Sequence, residues 1–385
     1  MEQTLSTESP LTDWISTIAT YPDLYVDEAF GDATGPVIPL STEDAKKVTF
    51  VVRCFLIPIS GTIGMFGNAF SLHVLRRESI ANKNNFYFYM CAVMCENLVL
   101  CVNYLLYNFP WIVRRFDTRL GDLIESHVIT PTLYLTKIFN LFGSTILIQM
   151  SAERLFSLLQ PFAYTRFCVV KHPRLISFIA FLIYCVLMLP IALCCKAGVI
   201  EAGNETIYTV VEIGTFWPYF MQYFVFYQTV LLSVVMPLVI LILNASISVA
   251  FYRYSKNTVN KMQTNAKETK RKQQQTKITI VTLTTAISYI VLSTPHLIAF
   301  TLDFLSKDYS YFGKYGYIFN FFIELGTFFI LVNSVIDCSI YVLVSSKFWP
   351  RFTSFCCGSN EGKTELTTDN INVSINVTSE SKVAS

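Results

Sequence analysis

Seven long apolar runs occur along the chain, and they constrain its fold more than any other feature of the sequence. Each run is long enough to cross a bilayer as a helix, because about 20 residues at roughly 1.5 Å each span a hydrocarbon core of about 30 Å. The 385 residues are 53% hydrophobic and only 15% charged, as in membrane-embedded proteins. The sequence therefore predicts an all-α membrane protein, a bundle of seven transmembrane helices. The predicted spans are residues 49–75, 86–107, 130–158, 175–195, 223–252, 278–305 and 317–344.

Lys and Arg residues are distributed unevenly between alternate connections of these spans. One set of connections is basic, with eight Lys and Arg residues in 253–277 against Glu268 alone. Cytoplasmic loops carry such an excess of positive charge. We therefore expect a multi-pass protein of the plasma membrane with its N-terminus outside and its C-terminus in the cytosol. The basic connection is also a candidate surface for a protein partner or for anionic lipid, although topology alone explains many of its charges.

The segments on either side of the predicted seven-helix domain, residues 49–345, are polar. Residues 1–48 are acidic and are predicted to form a flexible extracellular tail. Residues 346–357 interleave aromatic and basic side chains, which is typical of a short amphipathic helix on the membrane surface. Residues 358–385 are rich in Ser and Thr, and we expect a disordered cytoplasmic tail that is a platform for phosphorylation.

Two modifications follow from this topology. The sequon Asn204-Glu205-Thr206 falls in an outer loop, where Asn204 can carry a glycan. The pair Cys356-Cys357 ends the predicted surface helix and is a candidate for palmitoylation. The alternative for this pair is a frayed tail with two exposed thiols.

A polar stripe runs along the third apolar run. Its members are spaced by three, four, seven and three residues, which places them on one helical face. A charged residue inside a membrane costs at least about 2.5 kcal/mol, so charged members of the stripe are predicted to be functional and to face protein or water. The stripe consists of Lys137, Asn140, Ser144, Ser151 and Arg154.

Short motifs occur in a fixed order on successive spans. Together they resemble the rhodopsin-like G-protein-coupled receptors over residues 49–357. The stretches LILN after Pro237 and NSVIDCSIY most resemble the invertebrate FMRFamide-type peptide receptors. The motifs are Gly67-Asn68 in the first span, Glu153-Arg154-Leu155 followed by Pro161 at the end of the third, Pro237 in the fifth, Pro295 in the sixth, and Asp337-Cys338-Ser339-Ile340-Tyr341 at the end of the seventh.

The resemblance implies a receptor that binds an extracellular ligand, with a neuropeptide as the expected class, and that activates a heterotrimeric G protein. Glu153 and Arg154 would form an electrostatic switch in a two-state bundle, together with Asp337 and Tyr341 of the last motif. The phosphorylated tail would bind arrestin. The alternative for Arg154 is an arginine that extends to the membrane interface without a switching role.

The same spans contain predicted hinges and a polar core. Pro237 and Pro295 each remove a backbone donor and are expected to kink their helices, although a purely structural kink is the alternative. Asn68, Glu96 and Asp337 would be costly in mid-membrane without partners, so we expect them to share a hydrated network.

The outer part of the bundle is where the resembled family binds its ligands. Lys137 lies about 25 Å above Arg154 at the helical rise, and Asn140 lies one turn below it. His296 and Glu324 could face the same cavity. Lys137 either meets a carboxylate or carbonyl group of the ligand, or pairs with Glu324 and only holds helices together.

The chain departs from the family pattern at several positions. Ile129 stands where the family has the cysteine that anchors the second outer loop, and residues 196–221 contain no cysteine. The usual disulfide is therefore absent, and a substitute from Cys194 or Cys195 to Cys101 is an open alternative. Cys95, next to Glu96, replaces the usual aspartate, and the sixth span lacks the usual tryptophan. These losses put the family's sodium site and aromatic toggle in doubt.

Other classes of protein are weighed against the receptor. An enzyme is not expected, because no soluble segment contains a phosphate-binding loop, metal-ligand spacing or nucleophile constellation. A membrane transporter is the main alternative of another class, but transporters usually show duplicated halves. Among receptors, a chemosensory receptor for a small molecule competes with a peptide receptor. No cofactor, metal or nucleic acid is expected.

Overall fold

The computed structural model describes residues 42–81, 85–160, 171–202, 205–212, 231–259, 266–309 and 314–344. The chain divides into two compact units, Met1–Ile340 and Tyr341–Ser385. All contacts given below lie within the first unit. The predicted tail 358–385 and the predicted surface helix 346–357 fall outside the described residues.

The described residues form seven long helices. Helix α1 starts inside the stretch predicted as the N-terminal tail, and both α1 and α5 contain a π-helical segment. The helices are α1 (Thr42–Val51, the π-helical Val52–Leu56 and Ile57–Ala81), α2 (Asn85–Val113), α3 (Thr118–Leu159), α4 (Pro173–Cys194), α5 (the π-helical Leu231–Val235 and Met236–Val259), α6 (Ala266–Leu305) and α7 (Gly316–Val344).

Six of these helices are long and apolar enough to cross a membrane, which fits a multi-pass helical membrane protein. Helix α3 is not among the six, because polar side chains interrupt its apolar sequence. The six segments are Lys47–Arg76, Asn85–Val113, Pro173–Leu193, Met236–Tyr254, Gln273–Leu305 and Gly316–Val342.

The connection between α4 and α5 contains the only departure from an all-α fold among the described residues. Strand β1 (Cys195–Ala202) pairs antiparallel with β2 (Glu205–Glu212), with Cys195 opposite Glu212 and Ala202 opposite Glu205. Both strands contact α3. The sequence did not predict this hairpin, which replaces the last residue of the predicted fourth span.

Polarity is distributed in the opposite way to that of a water-soluble protein. Val186 on α4 is 70% exposed, and most of its large apolar neighbours on the same helix are exposed as well. By contrast, Asn68 and Ser151 have no exposed surface, and Glu153 and Arg154 are buried. This arrangement is expected where lipid surrounds the helices, because polar groups must then find partners inside the protein.

Helix α3 begins twelve residues earlier than the sequence predicts. Asp117 has an extended backbone and its carboxylate accepts a hydrogen bond of 3.0 Å from the amide of Leu120, so it is the N-cap. The helix continues through Pro131 to Leu159, a length of 42 residues or about 63 Å. It contacts α2, α4, α5 and α6, which makes α3 the central helix of the bundle.

Two apolar clusters hold the bundle together on either side of α3. The first joins α1, α2 and α7 and includes Leu100, Tyr104 and Leu331. The second joins α3 to α4 through Ile138 and Met188. Burial of such side chains contributes roughly 1.5–3 kcal/mol each in water, whereas in lipid close packing is the larger contribution.

Candidate functional site

The polar stripe of α3 faces the interior of the bundle. The hydroxyl of Ser144 shares a hydrogen bond of 2.8 Å with that of Tyr289 on α6. The hydroxyl of Ser151 accepts a hydrogen bond of 3.1 Å from the side chain of Asn244 on α5. The spacing argument therefore located the inward face of α3 correctly.

At one end of the stripe, the described side chains hold Arg154 between two helices. Its guanidinium donates a hydrogen bond of 3.0 Å from Nη1 to Oε1 of Gln275 on α6. It also lies 5.8 Å from the ring centroid of Phe86 on α2. Only 4% of Arg154 is exposed, so it is not an arginine that extends into solvent at an interface.

The neighbouring Glu153 has a hydrogen-bond partner of its own and also lies within electrostatic range of Arg154. Its carboxylate accepts a hydrogen bond of 3.1 Å from the side chain of Asn85, at the start of α2. The sequence predicted a switch from Glu153 and Arg154, but it did not identify Gln275 or Asn85. Tyr341 lies near the end of α7 in the second compact unit, so its part in the switch stays a prediction.

A small cavity lined by both apolar and polar side chains lies in the middle of the bundle, between α2, α3, α6 and α7. Its volume is about 40 Å³, which is enough for a few water molecules because one water needs roughly 10–15 Å³ of such space. Glu96 and Asp337 both line it, as does Tyr289. Of the neighbours Cys95 and Glu96, only Glu96 faces the interior, since Cys95 is exposed.

Asp337 is the best-connected group of this cavity. Its Oδ2 accepts hydrogen bonds from the side chains of Asn97, at 3.1 Å, and Asn333, at 3.2 Å. Its Oδ1 and the Oδ1 of Asn333 are buried and accept no hydrogen bond from any described residue. Water in the cavity can donate to both oxygens.

Asn68 belongs to a second polar group beside the cavity. Its amide donates hydrogen bonds of 2.8 Å to the hydroxyl and 3.2 Å to the carbonyl of Ser334 on α7. The same hydroxyl is 3.1 Å from the thiol of Cys101. Cys101 is therefore a free thiol with a partner on α7, and the substitute disulfide to this residue is not formed.

The packing of Glu96 depends on a glycine in α3. A Cβ atom at Gly143 would lie 2.6 Å from the carboxyl carbon of Glu96, closer than side chains pack. Gly143 therefore allows α2 to approach α3 with the Glu96 carboxyl group between them.

At the other end of the stripe, Lys137 is half-buried and makes no ion pair with any residue that the structure describes. It lies within electrostatic range of His296 on α6. Asn140, one turn below, hydrogen-bonds the hydroxyl of Tyr104 on α2. Lys137 and His296 therefore lie within electrostatic range of each other, and their role as ligand contacts stays a prediction.

Glu324 has a different partner from the one predicted. Its carboxylate pairs with the guanidinium of Arg53 in the π-helical segment of α1. Arg53 also lies 4.5 Å from the ring centroid of Trp111, and its carbonyl accepts a hydrogen bond from Asn108. The alternative in which Lys137 pairs with Glu324 is therefore wrong for this structure.

His296 is fixed by close contacts on two sides. A Cβ atom at Gly326 of α7 would lie 2.7 Å from Cε1 of His296, so the glycine makes room for the imidazole. The ring also stacks on Phe300, with centroids 6.2 Å apart. Phe300 in turn meets Phe319 edge to face at 6.1 Å.

The two predicted hinges lie inside helices. Pro295 is buried within α6, and Pro237 lies in the first turn of the α-helical part of α5, beside its π-helical segment. Prolines and π-helical turns are both recognised causes of kinks. Three further prolines, in α2, α3 and α4, were not singled out from the sequence: Pro110, Pro131 and Pro190.

Some predicted positions fall outside the described residues, namely Asn204, Cys356 and Cys357. Within the described ranges, no group of three or more His, Cys, Asp or Glu side chains is placed to hold a metal ion.

Comparisons with other proteins add no identification. No protein-family model matches the chain, and no curated protein matches it significantly.

Proposed function

We propose that the chain is a G-protein-coupled receptor of the rhodopsin-like type, placed in the plasma membrane with its N-terminus outside and its C-terminus in the cytosol. The observation that carries the proposal is the hydrogen bond between buried Arg154 of α3 and Gln275 of α6. The arginine is costly to bury, and the contact that joins it to α6 is a hydrogen bond to a neutral side chain, so a modest free energy separates the arrangement with this bond from one without it.

In this proposal α3 also crosses the membrane, which brings the number of transmembrane helices to seven, although α3 is less apolar than the other six. Its polar residues turn towards α5 and α6, where Ser144 and Ser151 have partners. Polar side chains that face a bundle interior do not meet lipid.

Receptor activation would separate α6 from α3 at the Arg154 end. Loss of the Gln275 contact would free the guanidinium for a G protein, and the basic residues that precede Gln275 on α6 would add positive charge to the same surface. Pro295 is the position at which α6 can bend without losing a further backbone hydrogen bond. Arrestin would compete for this surface after phosphorylation of the tail.

The central cavity would connect the ligand end to the G-protein end. Asp337 and Asn333 each retain an acceptor oxygen for water, so their hydrogen bonds can exchange without leaving a buried group unsatisfied. The adjacent bond between Ser144 and Tyr289 joins the cavity to α6. Such exchangeable contacts provide the two arrangements that a switch requires.

The ligand would bind near Lys137, where a positive charge lacks a carboxylate within the described part of the chain. His296 and Asn140 would provide polar contacts beside it. A peptide suits this site because the β1–β2 hairpin has two outer edges, to which an extended chain can add by backbone hydrogen bonds. A small-molecule ligand would use the same Lys137 without the hairpin.

The proposal is tested by screening the expressed protein against a peptide library with a calcium or cyclic-nucleotide readout, followed by nucleotide exchange on a purified G protein. We expect one or more peptides to stimulate exchange, and Arg154→Ala to abolish it. A response to a small metabolite alone would identify a chemosensory receptor. Substrate flux in proteoliposomes without nucleotide exchange would identify a transporter and contradict the proposal.

A further inference from the structure

The loop that joins α2 to α3 has a compact structure, and the proposed receptor function gives it no role. Backbone hydrogen bonds close it, from the amides of Phe116 and Asp117 to the carbonyl of Val113, each at 2.9 Å. A Cβ atom at Gly121 would lie 2.8 Å from Cα of Arg114, so the first turn of α3 packs directly against the end of α2. The loop is therefore a defined surface.

A cavity of about 180 Å³ opens at this loop. A water molecule needs roughly 10–15 Å³ of such space, so the cavity admits a group of several heavy atoms. Its lining is cationic and polar, because it consists of Trp111, Arg114, Arg115 and Thr118. No carboxylate is part of that lining.

Arg114 provides a fixed positive charge at this cavity. Its guanidinium is held by Asp122, at 2.6 Å, and by Glu125. Burial alone would lower the pKa of Arg114, but the two carboxylates outweigh burial and raise it, so the residue stays charged. Its Nη1 is buried and has no hydrogen-bond partner among the described residues, so Arg114 forms a fixed wall of the cavity rather than a donor that faces it.

Arg115 provides a charge that no described carboxylate neutralises. Its guanidinium lies 5.1 Å from the ring centroid of Phe50 and 5.2 Å from that of Trp111, so aromatic faces position it. The side chain is exposed at the mouth of the cavity. Guanidinium groups in this setting bind phosphate and carboxylate oxygens well, because their N–H groups are arranged as a planar fork.

The N-terminus of α3 adds to the positive electrostatic potential at the cavity. Thr118 is the first residue of a 42-residue helix and lines the cavity, while the Asp117 cap satisfies the amide of Leu120. Other amides of the first turn have no partner within the helix, and the helix dipole favours an anion at this end.

The position of the loop relative to the membrane indicates the source of the anion. The segment Asn85–Val113 is one of the six apolar helices, so residues 114–118 follow at the level of the lipid headgroups. Phe116 is 88% exposed and Leu120 is 45% exposed, which gives the cationic cavity an apolar rim. Lipid acyl chains cover such a rim, whereas a soluble anion does not.

We infer that the cavity between Arg114, Arg115 and Thr118 binds the phosphate group of a membrane phospholipid. The exposed Arg115 guanidinium and Thr118 hydroxyl would contact the phosphate oxygens, and Phe116 and Leu120 would contact the acyl chains. This site is independent of the sidedness of the membrane and of the receptor proposal.

Native mass spectrometry of the full chain in detergent tests the inference, with phosphatidylglycerol, diacylglycerol of the same acyl chains, and glycerol 3-phosphate as probes. We expect phosphatidylglycerol to bind and diacylglycerol not to bind. Arg115→Gln should weaken binding of phosphatidylglycerol by about fivefold or more, and Arg115→Lys should restore part of it. The matched control is Arg119→Gln, which changes an exposed arginine in the first turn of α3 outside the cavity lining and should change binding little.

The remaining outcomes decide between the sources of the phosphate. Displacement of phosphatidylglycerol by glycerol 3-phosphate at similar concentration would overturn the lipid as the source and assign the site to a soluble phosphate. Equal binding of phosphatidylglycerol and diacylglycerol, or an equal loss in the Arg115 and Arg119 variants, would overturn the phosphate site itself. Unchanged thermal unfolding of Arg115→Gln confirms that a loss of binding is not a loss of folding.

Discussion

The two ends of the polar stripe on α3 differ in how their charges are matched. At the Arg154 end, Arg154 bonds to Gln275 and Glu153 bonds to Asn85, so both buried charges have partners on neighbouring helices. At the Lys137 end, the ammonium group has no carboxylate among the described residues. A charge that is removed from water is costly unless it is paired or hydrogen-bonded, so the Arg154 end is satisfied by the described residues, whereas half-buried Lys137 lacks a counter-charge among them.

This difference indicates two separate roles for the two ends of α3. The Arg154 end can change only by exchanging one partner for another, which suits a switch that a G protein operates. The Lys137 end can gain free energy from a group that arrives from outside, which suits a ligand site. Glu324 forms its ion pair with Arg53, so it does not provide a counter-charge for Lys137.

The largest effect is expected from Glu324→Ala. Removing the carboxylate takes an ion-pair partner from the Arg53 guanidinium, and we expect a loss of roughly 2–3 kcal/mol in the free energy of unfolding. This is below the 3–5 kcal/mol of fully buried pairs because 19% of the Arg53 side chain and 10% of the Glu324 side chain remain exposed. Thermal unfolding in detergent measures the loss.

Lys137→Ala is the matched control for that experiment and should leave stability nearly unchanged. If both single variants are equally destabilised and the double variant is no worse than either, the pair is Lys137 with Glu324, and the contrast between the ends disappears.

A smaller effect is expected on ligand potency. Lys137→Ala should lower the potency of an active peptide by about 30-fold, because a close charge pair with the ligand is worth roughly 2 kcal/mol or more. Dose-response curves of nucleotide exchange for Lys137→Ala, Glu324→Ala and the double variant measure it. Unchanged potency in all three variants would show that the ligand does not contact Lys137.

The sequence could predict the helices and the inward face of α3, because both depend on local periodicity. Six predicted spans are confirmed as helices that are long and apolar enough to cross a membrane. The third predicted span begins at residue 130 because it follows the apolar run, whereas the helix itself begins at the Asp117 cap.

The partners of the charged groups could not be predicted, because tertiary packing sets them. Arg53 and Glu324 are 271 residues apart in the chain, and nothing in the sequence relates the two. Gln275 is one of three consecutive glutamines, and only the orientation of α6 decides which of them reaches Arg154.

A further prediction concerns Glu153, which lies at the Arg154 end of α3. Asn85→Ala removes a donor from a buried carboxylate and should lower the free energy of unfolding by about 1–2 kcal/mol. A neutral amide at position 153 depends less on that donor than a carboxylate does. Asn85→Ala should therefore lower the free energy of unfolding by less in a Glu153→Gln background. A penalty of the same size in both backgrounds would show that Asn85 acts through something other than Glu153.

The smallest effect is expected at Ser151. Ser151→Ala removes one of two acceptors for the amide of Asn244, which keeps a bond of 2.8 Å to the carbonyl of Ile240. We expect a loss of about 0.5–1 kcal/mol, close to the mean for hydrogen bonds between membrane helices. Ser157→Ala, which removes only a local bond to the carbonyl of Arg154, is the control in thermal unfolding.

Basal nucleotide exchange in Gln275→Ala tests the central claim most directly, because it needs no ligand. If the bond from Arg154 to Gln275 holds α6 against α3, its loss should raise basal exchange on a G protein by about tenfold or more, because a hydrogen bond to a charged group is worth roughly 1.5–3 kcal/mol. Gln274 is exposed and precedes Gln275 in the chain, so Gln274→Ala should leave basal exchange unchanged. Equal basal exchange in the two variants would contradict the account.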